Sequence, residues 1–384
     1  MRLARLLRAS LAMAAVAAIF CAYDAWRSAG QSLVAYLAAF GFASSTVLGG
    51  LVLVMVAHAT GARWLVVLRR LAETTALTLP LVAALFLPLI AGANAVFPWA
   101  RSLAEVDEAT RHGIEHAGSW LSRGSFALRG LACLAAWTLL AELIRRASLR
   151  EDRAPQPRAD ALQKKLSAAG LPLVAFSGTL AAFDWFMSAL PGFSSTILGL
   201  YMLTGGFGAA VGVLCVALFF ARKHRRLPEE VGEAHAHALG RVLLMSVCLW
   251  AYLAASQLII VWSANLPREA GFYLLRYHGI FRWLALCLIF GHFALPFLIL
   301  LSRSAKRRPK LLAWVGGWLV LMHAVDAYWL LAAASRRAPS AADIAPFVLV
   351  SAALLGFGLM RFRRAPAFAG HAAELSLSLR YEST

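Results

Sequence analysis

The sequence predicts an all-α integral membrane protein with about ten transmembrane helices. Three observations predict it. Apolar residues make up 61% of the 384 positions and charged residues only 15%, against roughly 45–50% apolar residues in soluble domains. Apolar runs of about 20 residues, long enough to cross the ~30 Å hydrocarbon core as helix, recur along the whole chain. Basic residues gather in alternate connecting segments, as they do in multi-pass proteins.

The apolar runs place spans at 7–26, 33–58, 73–96, 123–144, 170–190, 194–221, 240–263, 279–302, 311–333 and 342–361. The first follows Arg2, Arg5 and Arg8, as a secretory signal would. No small-x-small cleavage pattern follows it, and Phe20 before Cys21 spoils a lipoprotein-type site, so it is expected to remain a helix. The formal charge of +18 invites a nucleic-acid reading, but its placement argues otherwise. With the N-terminus inside, about 27 Lys and Arg fall in cytoplasmic segments and about 9 in external ones. Both termini are then expected on the cytoplasmic side. The charge is a topology signal and a contact for anionic lipid head groups, with no nucleic-acid partner implied.

Two connecting segments stand out. Residues 97–122 form an external stretch with Glu105, Asp107, Glu108 and Glu115, suited to a short surface helix. Residues 145–169, charged and carrying Pro155 and Pro157, read as a cytoplasmic linker without a core of its own. An internal echo links Ser44-Ser45-Thr46-Val47-Leu48-Gly49 with Ser194-Ser195-Thr196-Ile197-Leu198-Gly199, each expected to begin an inward-running helix. Duplication would give a parallel repeat of four helices; shared use of small packing residues explains the echo equally well. On the duplication reading, 1–32 is a flanking helix and 33–190 a first four-helix bundle (helices 2–5) containing the 145–169 linker. A second bundle, 191–333 (helices 6–9), and a C-terminal helix with cytoplasmic tail, 334–384, complete the chain.

Ionisable groups are costly in hydrocarbon and mark partners, bundle interiors or water paths. Asp184, Asp326, Gln257 and Asn265 fall in the external half, with Arg129 and Arg282 as cations that could pair with the carboxylates. His292 and His323 lie nearer the middle, and Glu73 near the inner end of the third span. His323 and Asp326, three apart, share a helix face, where the carboxylate could hold the imidazole. This pair could lock packing, handle protons beside a quinone or supply a lone metal ligand, with no third or fourth ligand spaced to help. Asp184 could serve as a structural partner of Arg129 or Arg282, or as a proton acceptor, and Glu73 could reach water by snorkelling. His235 and His237, two apart, read as interfacial residues.

The five cysteines sit singly in separate spans. No haem-attachment motif, iron–sulfur spacing or metal-ligand spacing occurs. No phosphate-binding loop, catalytic triad or zinc-protease motif occurs either. The chain carries no self-sufficient active site and no covalently held cofactor is expected.

Several motifs from the fifth span to the ninth carry a resemblance. They are Phe183-Asp184-Trp185-Phe186-Met187-Ser188 with Ser195-Thr196-Ile197, then His235-x-His237-x-Leu239-Gly240, then Trp250-Ala251-Tyr252 with Ser256-Gln257. Trp262 with Ala264-Asn265-Leu266-Pro267, Gly291-His292-Phe293 with Leu295-Pro296-Phe297, and Met322-His323 with Asp326 and Tyr328-Trp329 follow in order. Together they resemble the ActF membrane subunits of alternative complex III, a bacterial quinol-oxidising assembly, within the NrfD/PsrC-like membrane proteins. The first four spans agree mainly in hydropathy. The pattern departs from the family at Gly192, Phe193 and Ser194, and at Arg268, where an acidic residue is usual.

The resemblance implies two four-helix bundles in the bacterial cytoplasmic membrane beside a paralogous quinol-site subunit, ActC. It implies an iron–sulfur subunit, haem c subunits and small membrane subunits as further partners, and quinone or quinol as ligand. Asp184, Gln257, His292, His323, Asp326 and Glu73 are then candidates for a quinone site or proton path. Arg129, Arg282, Tyr252 and Asn265 are candidates for structural or charge-pairing roles. A secondary transporter and a purely structural anchor of a complex are the competing functions.

Overall fold

The computed structural model describes residues 2–27, 29–151, 157–190, 192–332, 339–363 and 375–382. It is an all-α multi-pass membrane protein, with ten helices long and apolar enough to cross a bilayer and no strand among the described residues. We number the spanning helices α1 (Arg2–Arg27), α2 (Ala29–Thr60), α3 (Arg69–Ala91), α4 (Arg123–Glu151) and α5 (Pro157–Trp185). The remainder are α6 (Leu198–Lys223), α7 (Glu233–Ala264), α8 (Gly279–Leu301), α9 (Pro309–Ala332) and α10 (Ile344–Phe362).

Prolines account for the local irregularities. α3 is interrupted at Leu77–Thr78, just before Pro80, because proline withdraws an N–H and its ring crowds the carbonyl four residues back. α8 contains a π-helical stretch, Leu288–Ala294, just before Pro296, which cannot bond the His292 carbonyl.

α6 is the central helix, packing along α2 and α9 and touching α5 and α7. Its glycines make this approach possible. A Cβ on Gly206 would lie 2.1 Å from the Ser45 carbonyl oxygen of α2, and one on Gly212 would lie 2.5 Å from the Gly316 oxygen of α9. Small-residue crossings of this kind substitute for hydrophobic driving force between membrane helices. α2 also packs on α3 and α5, and α4 on α3 and α5. α7 packs on α8, α8 on α9, and α1 runs beside α10 at one flank.

Two expectations differ from the fold. The Ser44–Gly49 segment lies in the middle of α2, whereas Ser194–Ile197 precedes α6 in irregular chain. The two segments therefore hold different places relative to their helices, and only the second begins one. Nor are residues 145–151 and 157–169 a coreless linker, since they extend α4 and α5. Arg145, Ser148, Glu151, Gln163 and Ser167 are buried there, because the charged groups meet partners across helices rather than water. Residues 152–156 lie outside the described part. Between α3 and α4, a helix over Glu108–Ala117 forms as the sequence suggests, capped by the Asp107 carboxylate on the Thr110 N–H.

Candidate functional site

The interiors of the helix groups differ. Between α2, α3, α4 and α5, Phe40, Phe86, Phe126 and Trp185 fill the space with ring centroids 5.1–5.6 Å apart. Between α6, α7, α8 and α9 there is instead a cavity of about 440 Å³, within the ~300–1,000 Å³ usual for small-molecule sites. Its wall is mostly apolar, and Ser195, Tyr201, Trp250, Gln257, Tyr273 and Trp329 supply the polar groups.

Ser195 lies in the irregular entry to α6, and its hydroxyl donates to Gln257 Oε1 at 2.6 Å. The Gln257 amide nitrogen has no bond to another described residue and can serve as a donor. Three residues into α6, the Tyr201 hydroxyl donates to Asp326 Oδ1 at 2.5 Å. Trp250 Nε1 donates to Asp326 Oδ2 at 3.0 Å. Asp326 is thus one hydrogen bond behind the cavity wall, fully enclosed, with two neutral donors and no cation as partners.

His323 does not orient against Asp326, although the two share a helix. Its Nε2 meets Ser45 Oγ of α2 at 2.8 Å, while Nδ1 packs against Gly205 with no protein partner. The crossing of α2 over α6 brings Ser45 closer to the ring than the carboxylate one turn away. His292, in the π-helical stretch, stacks on the Trp250 indole with centroids 4.0 Å apart. Its Nδ1 is likewise buried without a protein partner.

The end of the cavity near Phe272 and Tyr273 is covered by a short helix, Pro267–Leu274. Arg276, 3% exposed, pins it in place. Its guanidinium donates to the carbonyls of Phe272 (2.6 Å), Trp329 (3.0 Å) and Leu330 (2.5 Å). It also lies 3.6 Å from the Phe272 ring centroid and 5.3 Å from that of Trp329. Burial lowers the guanidinium to about 9, still cationic at neutral pH. Burial also pushes the Tyr273 phenol up to about 12, so it remains a protonated donor. Phe193 stacks on Phe272 at 4.1 Å and closes the same end.

The cavity also has a side opening. α7 packs on the second half of α8, from Leu288 onward, but splays from Gly279–Cys287. Ala251, Ala254, Ala255 and Leu258 of α7 and Ala285 and Ile289 of α8 line the cavity on this side. Leu258 and Ile289 are exposed on the apolar perimeter that faces lipid in a membrane-spanning bundle.

The remaining candidates lie elsewhere. Asp184 pairs with Arg129, which donates from Nε (2.7 Å) and Nη2 (3.0 Å), and so belongs to the α4–α5 contact. Glu73 does not snorkel. It is 3% exposed and receives Arg70 Nη1 and Ser148 Oγ at 2.7 Å each, with Arg145 as a further partner and Arg69 3.8 Å away. Three neighbouring arginines remove any gain from reaching water. Arg282 is exposed, its guanidinium 5.7 Å from the Tyr277 ring rather than beside Asp184. Tyr252 is 67% exposed, facing away from the cavity, and Asn265 ends α7 in the left-handed conformation at φ 48°.

Tyr201, Trp250, Tyr273 and Arg276 are contributions that sequence reasoning missed. An aromatic belt accounts for tyrosines near helix ends, as Tyr201 and Tyr273 are, which masks those that turn inward. For Trp250, mid-helix, and Arg276, their partners on α9 are what reveal the role. The Arg69-Arg70-x-x-Glu73 spacing was a usable signal for the arginine cage, since i,i+3 and i,i+4 pairs share a face. No protein-family model matches the chain, and no curated protein matches it.

Proposed function

We propose that this chain is an ActF-like membrane subunit of a bacterial quinol-oxidising complex, and that the α6–α9 cavity takes a quinone ring. The observation that carries the proposal is the combination of a side opening between α7 and α8 with hydrogen-bonding groups on the cavity wall. A lipid-soluble ligand reaches such a cavity without leaving the bilayer, whereas a water-soluble one needs an aqueous entrance. The Gln257 amide and the Tyr273 hydroxyl supply donors for a quinone carbonyl. Tyr201 supplies a relay, since its oxygen can accept a proton from a quinol hydroxyl as it passes its own to Asp326.

On this proposal the residues of the chain position the ring and receive protons. Electrons leave through iron–sulfur and haem c partner subunits. The proposed setting is the bacterial cytoplasmic membrane, with the basic loops and both termini on the cytoplasmic side, beside an ActC-type subunit.

The test uses the complex purified from membranes with a photoreactive azidoquinone. Crosslinks in the segments 193–201, 250–258 or 272–273 are expected, and Tyr201→Phe should lower quinol turnover at least tenfold while the complex assembles. Labelling confined to partner chains, with full turnover by Tyr201→Phe, would reject the assignment.

The interruption of α8 at Leu288–Ala294 favours one second reading, a secondary transporter, because transporter sites sit at broken helices. Substrate counterflow by the purified chain in liposomes would establish it.

A further inference from the structure

We infer that the turn joining α8 to α9 and the facing part of α7 form a binding site for a phosphate-bearing anion, from an acidic phospholipid or free phosphate. The site begins with a glycine. A short helix, Arg303–Arg307, capped by the Ser302 hydroxyl on the Ala305 N–H, packs against α7 at Gly240. A Cβ on Gly240 would lie 2.7–2.8 Å from Cγ and Cβ of Lys306. The missing side chain therefore lets the Lys306 stem lie flat on α7. Arg303, Lys306 and Arg307 are thereby gathered beside Arg241, the residue after Gly240.

The electrostatics are unbalanced at this place. The charges of Arg241, Arg303, Lys306 and Arg307 all reach His237, one turn earlier on α7. None of the four forms an ion pair with a described residue. Arg241 has only the neutral Tyr381 hydroxyl, at 3.1 Å, and Arg307 Nε is buried without a partner. Lys306 is 8% exposed, and burial together with Arg241 lowers its ammonium below the ordinary lysine value.

The buried arginines of α3 and α4 at this end, by contrast, are neutralised by carboxylates. Arg69, Arg70 and Arg145 surround Glu73, with Glu151 on Arg69. Four converging cations, one of them withdrawn from water, are satisfied by an oxyanion that accepts several charge-assisted hydrogen bonds. On the orientation proposed above, the position where α7, α8 and α9 leave the apolar span falls in the head-group layer of the cytoplasmic leaflet, which attracts basic groups through its anionic lipid.

The test uses the full-length protein in nanodiscs, with retained lipid read by native mass spectrometry after extraction. Phosphatidylglycerol is expected to be retained at least tenfold over phosphatidylcholine. Arg241→Gln/Arg303→Gln/Arg307→Gln should lose that preference at least tenfold, and the exposed Arg303→Gln alone severalfold without risk to folding. Arg222→Gln/Lys223→Gln/Arg225→Gln, which removes equal charge nearby, should change it by less than twofold. A separate calorimetric titration with inorganic phosphate distinguishes the sources. Saturable phosphate binding that the first triple variant abolishes, with no lipid preference, supports the site and assigns it to free phosphate. Equal retention of both lipids with no phosphate binding, or equal losses in the two triple variants, overturns it.

Discussion

A carboxylate inside a bilayer survives by the donors around it, and three of them here are held in three ways. Glu73 has an arginine cage, Asp184 one bidentate arginine, and Asp326 only a phenol and an indole. Of the three, Asp326 alone can exchange a proton through Tyr201 without breaking an ion pair. Asp326→Asn keeps a polar acceptor and is predicted to cost under about 1.5 kcal/mol, the net value of one ordinary hydrogen bond. It should nonetheless slow quinol turnover at least tenfold. Asp326→Leu strands the Tyr201 hydroxyl and Trp250 N–H and should cost about 2–6 kcal/mol, at ~1–3 for each unsatisfied group. Denaturant unfolding in detergent beside turnover of the intact complex separates the two effects. For Asp184 the expectation is structural. Arg129→Met should cost about 3–5 kcal/mol by leaving a buried charge unpaired, and adding Asp184→Leu should recover most of it in the same unfolding assay.

Helices were more legible in the sequence than the contacts between them. Hydropathy marks where a chain can cross a bilayer, because every lipid-facing backbone group must be bonded within its helix. It does not say which residues of two distant helices meet. Ser45 and His323 are 278 positions apart, and only the crossing at Gly206 brings them together. The extra turns of α4 and α5 were missed for a similar reason. Arg145, Glu151 and Gln163 look like a solvated linker until their partners on α3 are known. Gly206→Ala is therefore predicted to force α2 and α6 apart and to cost about 1–3 kcal/mol or more, the range for overpacking a core. Gly208→Ala faces the movable Ser246 side chain at 2.9 Å and should cost less than half as much. Arg276 makes a parallel prediction for the helix over the cavity. Lysine cannot reproduce three directed bonds, so Arg276→Lys should speed hydrogen exchange across 267–275 at least tenfold. The folded-state value of Arg276, about 9, lies below its ordinary one. The unfolded chain thus binds the proton more tightly, and the burial cost is constant below about pH 9 and eases above it. The contribution of Arg276 to exchange protection in this segment should accordingly stay level between pH 6 and 8.

At the scale of the whole molecule, the second set of helices is the one with room inside. Aromatic rings fill the interior of α2–α5, and α6 links that half to α9 through glycine crossings. α7 and α8, held together toward the basic end and apart at the other, leave a gap in the α6–α9 wall. If quinol enters there, its isoprenoid tail must lie in the gap while the ring is bound. Bulk at the mouth should then oppose long tails more than short ones. Ala255→Trp on α7 is predicted to raise KM for a long-chain quinol at least fivefold. KM for a decyl analogue should change by less than twofold, with complex assembly unchanged. Leu128→Trp is the control, since Leu128 is 72% exposed on α4, away from the gap, and adds the same indole to the lipid-facing surface. Its kinetics should match the parent for both substrates. Steady-state rates of the purified complexes with the two quinols decide the matter. Equal KM values for Ala255→Trp and the parent would mean that the tail takes another route.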